Sequence, residues 1–250
     1  MPARKKTTKA PGQGMNAKQR KRRKPIDEAY MVPIEPLTHN QQIMFDEWDK
    51  GKMVYAYGVA GTGKTYVALY KALKDVLNEY TPFEKIYIVR SLVATREIGF
   101  LPGDHEDKSS LYQIPYKNMV QSMFEMPDDA SYEMLYDNLK AQETISFWST
   151  SFIRGTTLDN AIVIIDECQN LNFHELDSII TRVGEDSKIV FCGDVQQSDL
   201  VKANEKNGVL DFMSILRLMD EFGMVEFGIE DIVRSGLIRS YLVSKLSLGF

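Results

Sequence analysis

Eight consecutive residues, Gly58-Val59-Ala60-Gly61-Thr62-Gly63-Lys64-Thr65, fit the pattern G-x-x-x-x-G-K-[ST] at every fixed position. Such a loop is built for phosphate. Backbone N–H groups at a helix N-terminus donate to phosphate oxygens in the favourable end of the helix dipole, and glycines let the chain close around them. Lys64 can reach the β- and γ-phosphates of a nucleoside triphosphate, and the Thr65 hydroxyl can ligate Mg²⁺. A second chemical pair, Asp166-Glu167, closes the apolar run Ala161-Ile162-Val163-Ile164-Ile165. Asp166 is placed to hold Mg²⁺, and Glu167, pointing the other way along the pleat, to polarise an attacking water. A third run, Lys188-Ile189-Val190-Phe191-Cys192-Gly193, ends in Asp194 and is followed by Gln197. Those two polar residues are candidates to sense the γ-phosphate; a turn with an Asx cap explains them equally simply.

The elements that must carry these groups can be read from periodicity. Residues 53–57 form a strand-length apolar run before the loop, and apolar residues at helical spacing follow it to about residue 80. Residues 85–90 read as a strand, and 144–149 alternate as a strand would. Residues 104–140 carry Tyr116, Met119, Met123, Met134 and Leu135 at mostly helical spacing and are expected to be a helical insertion, its methionines filling the core. The unbroken apolar runs ending at Asp166 and Gly193 suit strands buried on both faces of a parallel sheet, whose carboxyl ends are where ligands sit. A helix at 209–221, a strand at 224–229 and a final helix from Asp231 complete an α/β parallel sheet wrapped by helices.

Further residues could act on ligands, each with a plainer explanation. Gln41, upstream of the loop, could read the adenine edge, or could complete a capping box with Thr38. Phe100, with Arg90 and Arg96, could stack a base and pair phosphates; a hydrophobic plug under a loop is the ordinary fate of such a Phe. Arg154 suits a polyanion or an exposed ion pair. Arg234 could reach a neighbouring subunit and stabilise charge on the transferred phosphoryl group, or pair with Glu230 on the surface.

Composition narrows the setting. Of 250 residues, 44% are hydrophobic and 26% charged, as in ordinary globular proteins. No apolar run is long enough to span a membrane and no secretory leader is visible, so a cytoplasmic protein is expected, with Cys168 and Cys192 as reduced core residues. The net charge of −5 hides an asymmetry: residues 1–24 hold ten Lys/Arg and no acid, leaving the remainder at −15. Residues 1–25 are therefore expected to be a basic, disordered arm before a domain at 26–250. The arm suits nucleic acid; a solubilising tail, or pairing with the acidic body, are the alternatives.

Taken together, GVAGTGKT, RSLVATREIGFLPG from Arg90, FIRGTTL from Phe152, DECQN from Asp166, GDVQQSDL from Gly193 and DIVR from Asp231 resemble the PhoH-like family of P-loop ATPases, close to the motor core of superfamily 1 helicases. The resemblance implies a single RecA-like core, ATP hydrolysis with Mg²⁺, association with single-stranded nucleic acid (RNA before DNA), and a homo-oligomer such as a hexameric ring. It favours Gln41 as adenine reader and Gln197 as γ-phosphate sensor. The sequence departs from the family pattern at Ser91, Cys168, Thr156 and Ser235-Gly236. Thr156 stands where the family commonly has a second arginine after Arg154, which bears on the nucleic-acid or subunit contact at that loop. The compact form with a basic arm is similar to versions carried by large phages, which would place it in a host cytoplasm. A small-molecule phosphotransferase, or an ATP-dependent binding switch with slow hydrolysis, are the rival functions.

Overall fold

The computed structural model describes residues 26, 28–90, 105–153, 155–194 and 203–248. Among these described residues six strands form one sheet: β1 (Met53–Gly58), β2 (Lys85–Arg90), β3 (Ile145–Trp148), β4 (Ala161–Asp166), β5 (Lys188–Gly193) and β6 (Phe222–Phe227). Their order is β3-β2-β4-β5-β1-β6, and every pairing is parallel. The two central runs, β4 and β5, are buried along their whole length, as strands covered on both faces must be. Strand β5 lies between β1 and β4. The phosphate loop and the paired acids therefore emerge at the same edge of the sheet but one strand apart.

Eight helices among the described residues accompany these strands: α1 (His39–Asp49), α2 (Lys64–Leu77), α3 (His105–Ser122), α4 (Asp129–Ala141), α5 (Thr150–Ile153), α6 (Phe173–Ile180), α7 (Ala203–Leu216) and α8 (Gly236–Ser247). On one face, Met44 and Trp48 of α1, Leu69 and Leu73 of α2, Val120 of α3 and Leu139 of α4 pack on Val54, Ile86, Ile162 and Val190. On the other, Ile153, Leu176 and Phe212 cover Tyr55, Val163 and Phe191. Thr38 caps α1 by accepting the Gln41 backbone N–H at 3.3 Å, an arrangement that stabilises a helix by about 1 kcal/mol. Among the described residues no helix is long and apolar enough to cross a membrane.

Several boundaries differ from those expected from sequence, for physical reasons. The helical insertion expected at about 104–140 is built of two helices: α3 ends at Ser122 and α4 starts afresh behind Asp128, whose side chain accepts the Ser131 N–H at 2.7 Å. Met123 is fully buried, but Met134 is 69% exposed and fills no core. The strand expected at 224 begins at Phe222, because β1 recruits it in register with Met53 opposite Phe222. The helix expected from Asp231 starts at Gly236; Ile229–Asp231 forms a 3₁₀ turn instead. There Asp231 is buried and accepts hydrogen bonds from Gly228 N (2.9 Å) and Asn40 Nδ2 (2.7 Å). Those bonds compete with helix formation and fold the chain back toward the phosphate loop.

Candidate functional site

Strand β1 ends in Gly58 with φ 115°, and a Cβ there would lie 2.2 Å from the Phe227 carbonyl oxygen. Only glycine lets the loop leave the sheet this close to β6. The turn closes at Gly63 (φ 84°), from which α2 starts at Lys64, so the first-turn N–H groups of α2 face the loop's concavity. Lys64 is 8% exposed and turned back on its own loop, donating to Gly58 O (3.0 Å), Val59 O (2.7 Å) and Thr62 Oγ1 (3.3 Å). Burial pulls its ammonium below the ordinary lysine value, against the opposing pull of Cys192, Asp194, Glu167 and Asp166.

Asp166 ends β4 and is gripped from two sides: Thr65 Oγ1 donates to Oδ1 at 2.7 Å and the Tyr116 hydroxyl to Oδ2 at 2.5 Å. Glu167 then adopts φ 53°, a left-handed conformation outside that of the strand. Its Oε2 accepts from Gln169 Nε2 at 2.6 Å, and its Oε1 lies 3.8 Å from an Arg90 Nη2. Gln169 also accepts the Asp194 backbone N–H at 2.9 Å, tying the ends of β4 and β5 together. Burial works against the Arg90 charge, but Tyr116, Asp166 and Glu167 around it hold its pKa above the ordinary arginine value.

These groups share one cleft of about 340 Å³, lined by the loop from Ala60 to Thr65, by Arg90, Tyr116, Asp166, Glu167 and Asp194, and by Arg234. It can take an anion on the loop and α2 N-terminus. It also suits Mg²⁺, which favours hard oxygen donors, few protein ligands and retained water or phosphate: Thr65 and Asp166 are such donors in contact. Among the described residues no group of three or more His, Cys, Asp or Glu gathers to hold a metal by protein ligands alone.

The structure brings together Lys64, Thr65, Asp166, Glu167, Arg90 and Arg234, distant in sequence. Gln41 is 5% exposed and its side chain does not close the expected capping box. Its Oε1 accepts the Leu37 N–H (2.8 Å) and its Nε2 donates to Thr62 O (2.9 Å), so the amide props the phosphate loop and keeps one donor and one acceptor beyond those bonds. Arg234 lies against its own chain's loop: the Val233 N–H donates to Gly61 O at 3.1 Å, and a Cβ on Gly61 would sit 3.0 Å from Arg234 Cγ. The turn at Asp231 puts it there, just ahead of Ser235, the N-cap of α8. Arg96, Phe100, Arg154 and Gln197 lie outside the described residues. Sequence reasoning missed Tyr116, Gln169 and Asp231 as parts of this site. Gln169 and Asp231 stood within family-like motifs, but nothing in the sequence marked Tyr116 apart from a core aromatic.

A parallel sheet with a phosphate loop after β1, an acid pair after β4 and a third strand between them defines a RecA-like P-loop NTPase core. Among solved structures, the large terminase of a thermophilic bacteriophage shares the fold, with a TM-score of 0.50 and 12% identity over 85% of this chain and 50% of that one. The family model described as PhoH-like protein matches residues 33–244. The chain belongs to that family. Relatives include the PhoH-like proteins of Bacillus subtilis (34% identical over 198 residues, 76% of this chain and 56% of that protein) and Mycobacterium tuberculosis (32% over 206 residues, 82% and 56%). The chain thus spans about half the length of the curated relatives it matches.

Proposed function

We propose that this chain binds ATP with Mg²⁺ and hydrolyses it, with turnover coupled to single-stranded nucleic acid. The observation that carries the first part is the Thr65–Asp166 hydrogen bond of 2.7 Å beside the buried Lys64. It joins the two halves of an Mg·ATP site across an intervening strand. On binding, Lys64 exchanges Gly58 and Val59 carbonyl oxygens for phosphate oxygens, while the loop and the first turn of α2 supply N–H donors. With its proton on Asp166, the Thr65 hydroxyl turns lone pairs to the cleft, and the two residues would hold Mg²⁺, which neutralises charge on the transferred phosphoryl group. Glu167 orients the attacking water. Arg234 reaches the same phosphates from its own chain, so mixing Arg234→Ala with Lys64→Ala protein should restore no turnover, whereas recovery would favour action across a subunit boundary. The donor and acceptor left on Gln41 suit the N7 and N6 edge of adenine, and Gln197 is proposed to report the γ-phosphate.

The coupling rests on Arg90 and on the ten basic residues of 1–24. Arg90 is one-third exposed and faces Glu167, so a nucleic-acid phosphate that draws it away would release the water-orienting acid. Residues 1–25 are proposed as a basic arm that adds salt-dependent affinity, with Arg96, Phe100 and Arg154 as further contacts and RNA as the preferred strand. The assembly is proposed to be a homo-oligomeric ring in the cytoplasm. The hold of Gln169 and Arg90 on Glu167 also favours a second reading, an ATP-dependent switch that hydrolyses slowly. Phosphate release with and without single-stranded RNA or DNA separates them: stimulation supports the motor, tight binding with little turnover under all conditions supports the switch, and a phosphorylated small-molecule acceptor would support a transferase instead.

A further inference from the structure

We propose that Tyr116 is a positioning residue for Asp166, and that through it the helices α3 and α4 become part of the metal-dependent nucleotide site. The inference rests on the reading of Thr65 and Asp166 as the magnesium-bearing pair. A buried carboxylate can rotate about its last bond, and a carboxylate that shares a cation's shell must present one oxygen in a fixed direction. Thr65 alone fixes one oxygen, Oδ1. The other is fixed by the Tyr116 hydroxyl at 2.5 Å, and with both held the carboxylate plane is set before any ligand arrives.

The phenol is itself held in place. Tyr116 is 2% exposed, and its ring packs on Phe147 of β3 with centroids 5.4 Å apart. Pro115 stands just before it inside α3, on the wall of the cleft, so this turn of the helix faces the ligand with no backbone N–H at that position. The residue just after it, Lys117, is fastened to α4 three times: its Nζ pairs with Glu133 Oε2 at 2.6 Å and lies 5.6 Å from the Tyr136 ring centroid, and its carbonyl accepts the Tyr132 hydroxyl. Tyr132, Leu135, Tyr136 and Leu139 anchor α4 in the core. A continuous set of contacts therefore runs from the body of α4 through one turn of α3 to the acid. The packing on Phe147 uses only the ring of Tyr116, whereas its hydroxyl serves Asp166 and the neighbouring Arg90.

The test is the binding of a fluorescent ADP or ATP analogue to the full chain, titrated with and without Mg²⁺, in wild type and Tyr116→Phe. Groups that hydrogen-bond a metal ligand from outside are commonly worth ~10- to 100-fold in metal affinity. Tyr116→Phe should therefore raise the Mg²⁺ concentration needed for half-maximal enhancement of nucleotide binding by about tenfold, a change well beyond any in metal-free nucleotide affinity. Tyr132→Phe, which loosens α4 from Lys117, should shift the same Mg²⁺ midpoint in the same direction by less than the ~10-fold expected of a direct partner of the acid. Three results would overturn the proposal. An unaltered or lower Mg²⁺ midpoint in Tyr116→Phe would mean that the hydroxyl does not position the acid. Loss of metal-free nucleotide binding in that variant would assign the hydroxyl to the fold. Absence of any Mg²⁺ enhancement in the wild type would remove the magnesium-bearing pair as well, and so is distinguishable from failure of Tyr116 alone.

Discussion

Two buried lysines sit at opposite edges of the same sheet, each beside a cleft of similar size. Lys64 follows β1 at the carboxyl edge, in a cleft of about 340 Å³; Lys188 begins β5 at the amino edge, beside one of about 400 Å³. Both ammonium groups donate to backbone carbonyls, Lys64 to Gly58 and Val59, and Lys188 to Trp48 O at 3.0 Å. Burial depresses both pKa values, and pushes that of Lys188 down to about 8 although Asp75 pulls the other way. Their surroundings differ in kind. Lys64 stands over a glycine loop and a helix N-terminus, with Asp166 and Glu167 across the cleft. Lys188 lies 4.5 Å from the Trp48 ring centroid, near Asp75, Pro82 and Phe83. Asp75 is occupied too, accepting Trp48 Nε1 at 2.7 Å. A buried lysine and a cavity therefore do not make a phosphate site; converging N–H donors do.

The largest expected effect separates these two lysines directly. On the proposed binding mode Lys64→Ala would remove charge-assisted bonds to two phosphates, and nucleotide affinity should fall on the order of 10³-fold. Lys188→Met should leave affinity and turnover within about twofold of wild type, since it touches neither the loop nor the acids. Isothermal titration on both variants checks the pair, and comparable losses in the two would erase the distinction.

Glu167→Gln sharpens the contrast inside the nucleotide cleft. Turnover should drop about 10²- to 10³-fold while nucleotide affinity holds, because an amide cannot accept the water's proton. A variant with full turnover would remove Glu167 from the proposed chemistry.

The amino edge should show itself in stability rather than activity. Lys188 has a folded pKa of about 8 against the ordinary value of 10.5. Between those pH values the unfolded chain holds a proton that the folded chain has released, so stability rises with pH across that window. The full difference is about 3 kcal/mol, by the conversion of one pKa unit to about 1.36 kcal/mol. Denaturant midpoints of wild type relative to Lys188→Met, measured from about pH 7 to pH 10.5, should climb accordingly. A flat difference would mean that Lys188 is already neutralised by its surroundings or remains hydrated.

Within the nucleotide cleft, Gln169→Leu is expected to have a smaller effect than Lys64→Ala or Glu167→Gln. It releases Glu167 and the Asp194 N–H while leaving Lys64 and Thr65 in place, and should lower kcat about tenfold with KM little changed. If Gln169 instead restrains Glu167 in a resting position, kcat would rise, which favours the switch reading of the site.

Much of this was legible along the chain because it depends on neighbours in sequence. The loop from Gly58 to Thr65 needs a strand before it and a helix after it, and the apolar runs of β4 and β5 could only be buried strands. The acids after β4 followed from the end of such a run. What could not be read were contacts set by strand order. Tyr116 and Asp166 are 50 residues apart, Thr65 and Asp166 101, and Asn40 and Asp231 191. No local periodicity distinguishes Tyr116 from any other core aromatic, since its hydroxyl gains meaning only when β3 and β2 set α3 beside the end of β4. That Arg234 precedes a helix was legible, but not that the buried Asp231 turns the chain back so that Arg234 lies over Gly61. Residue types and spacing determined that this chain would present a phosphate loop and a pair of acids, because hydrophobic period and glycine content act locally. Which hydroxyls, amides and arginines surround them was decided only by the parallel sheet, whose crossovers place distant segments at one edge.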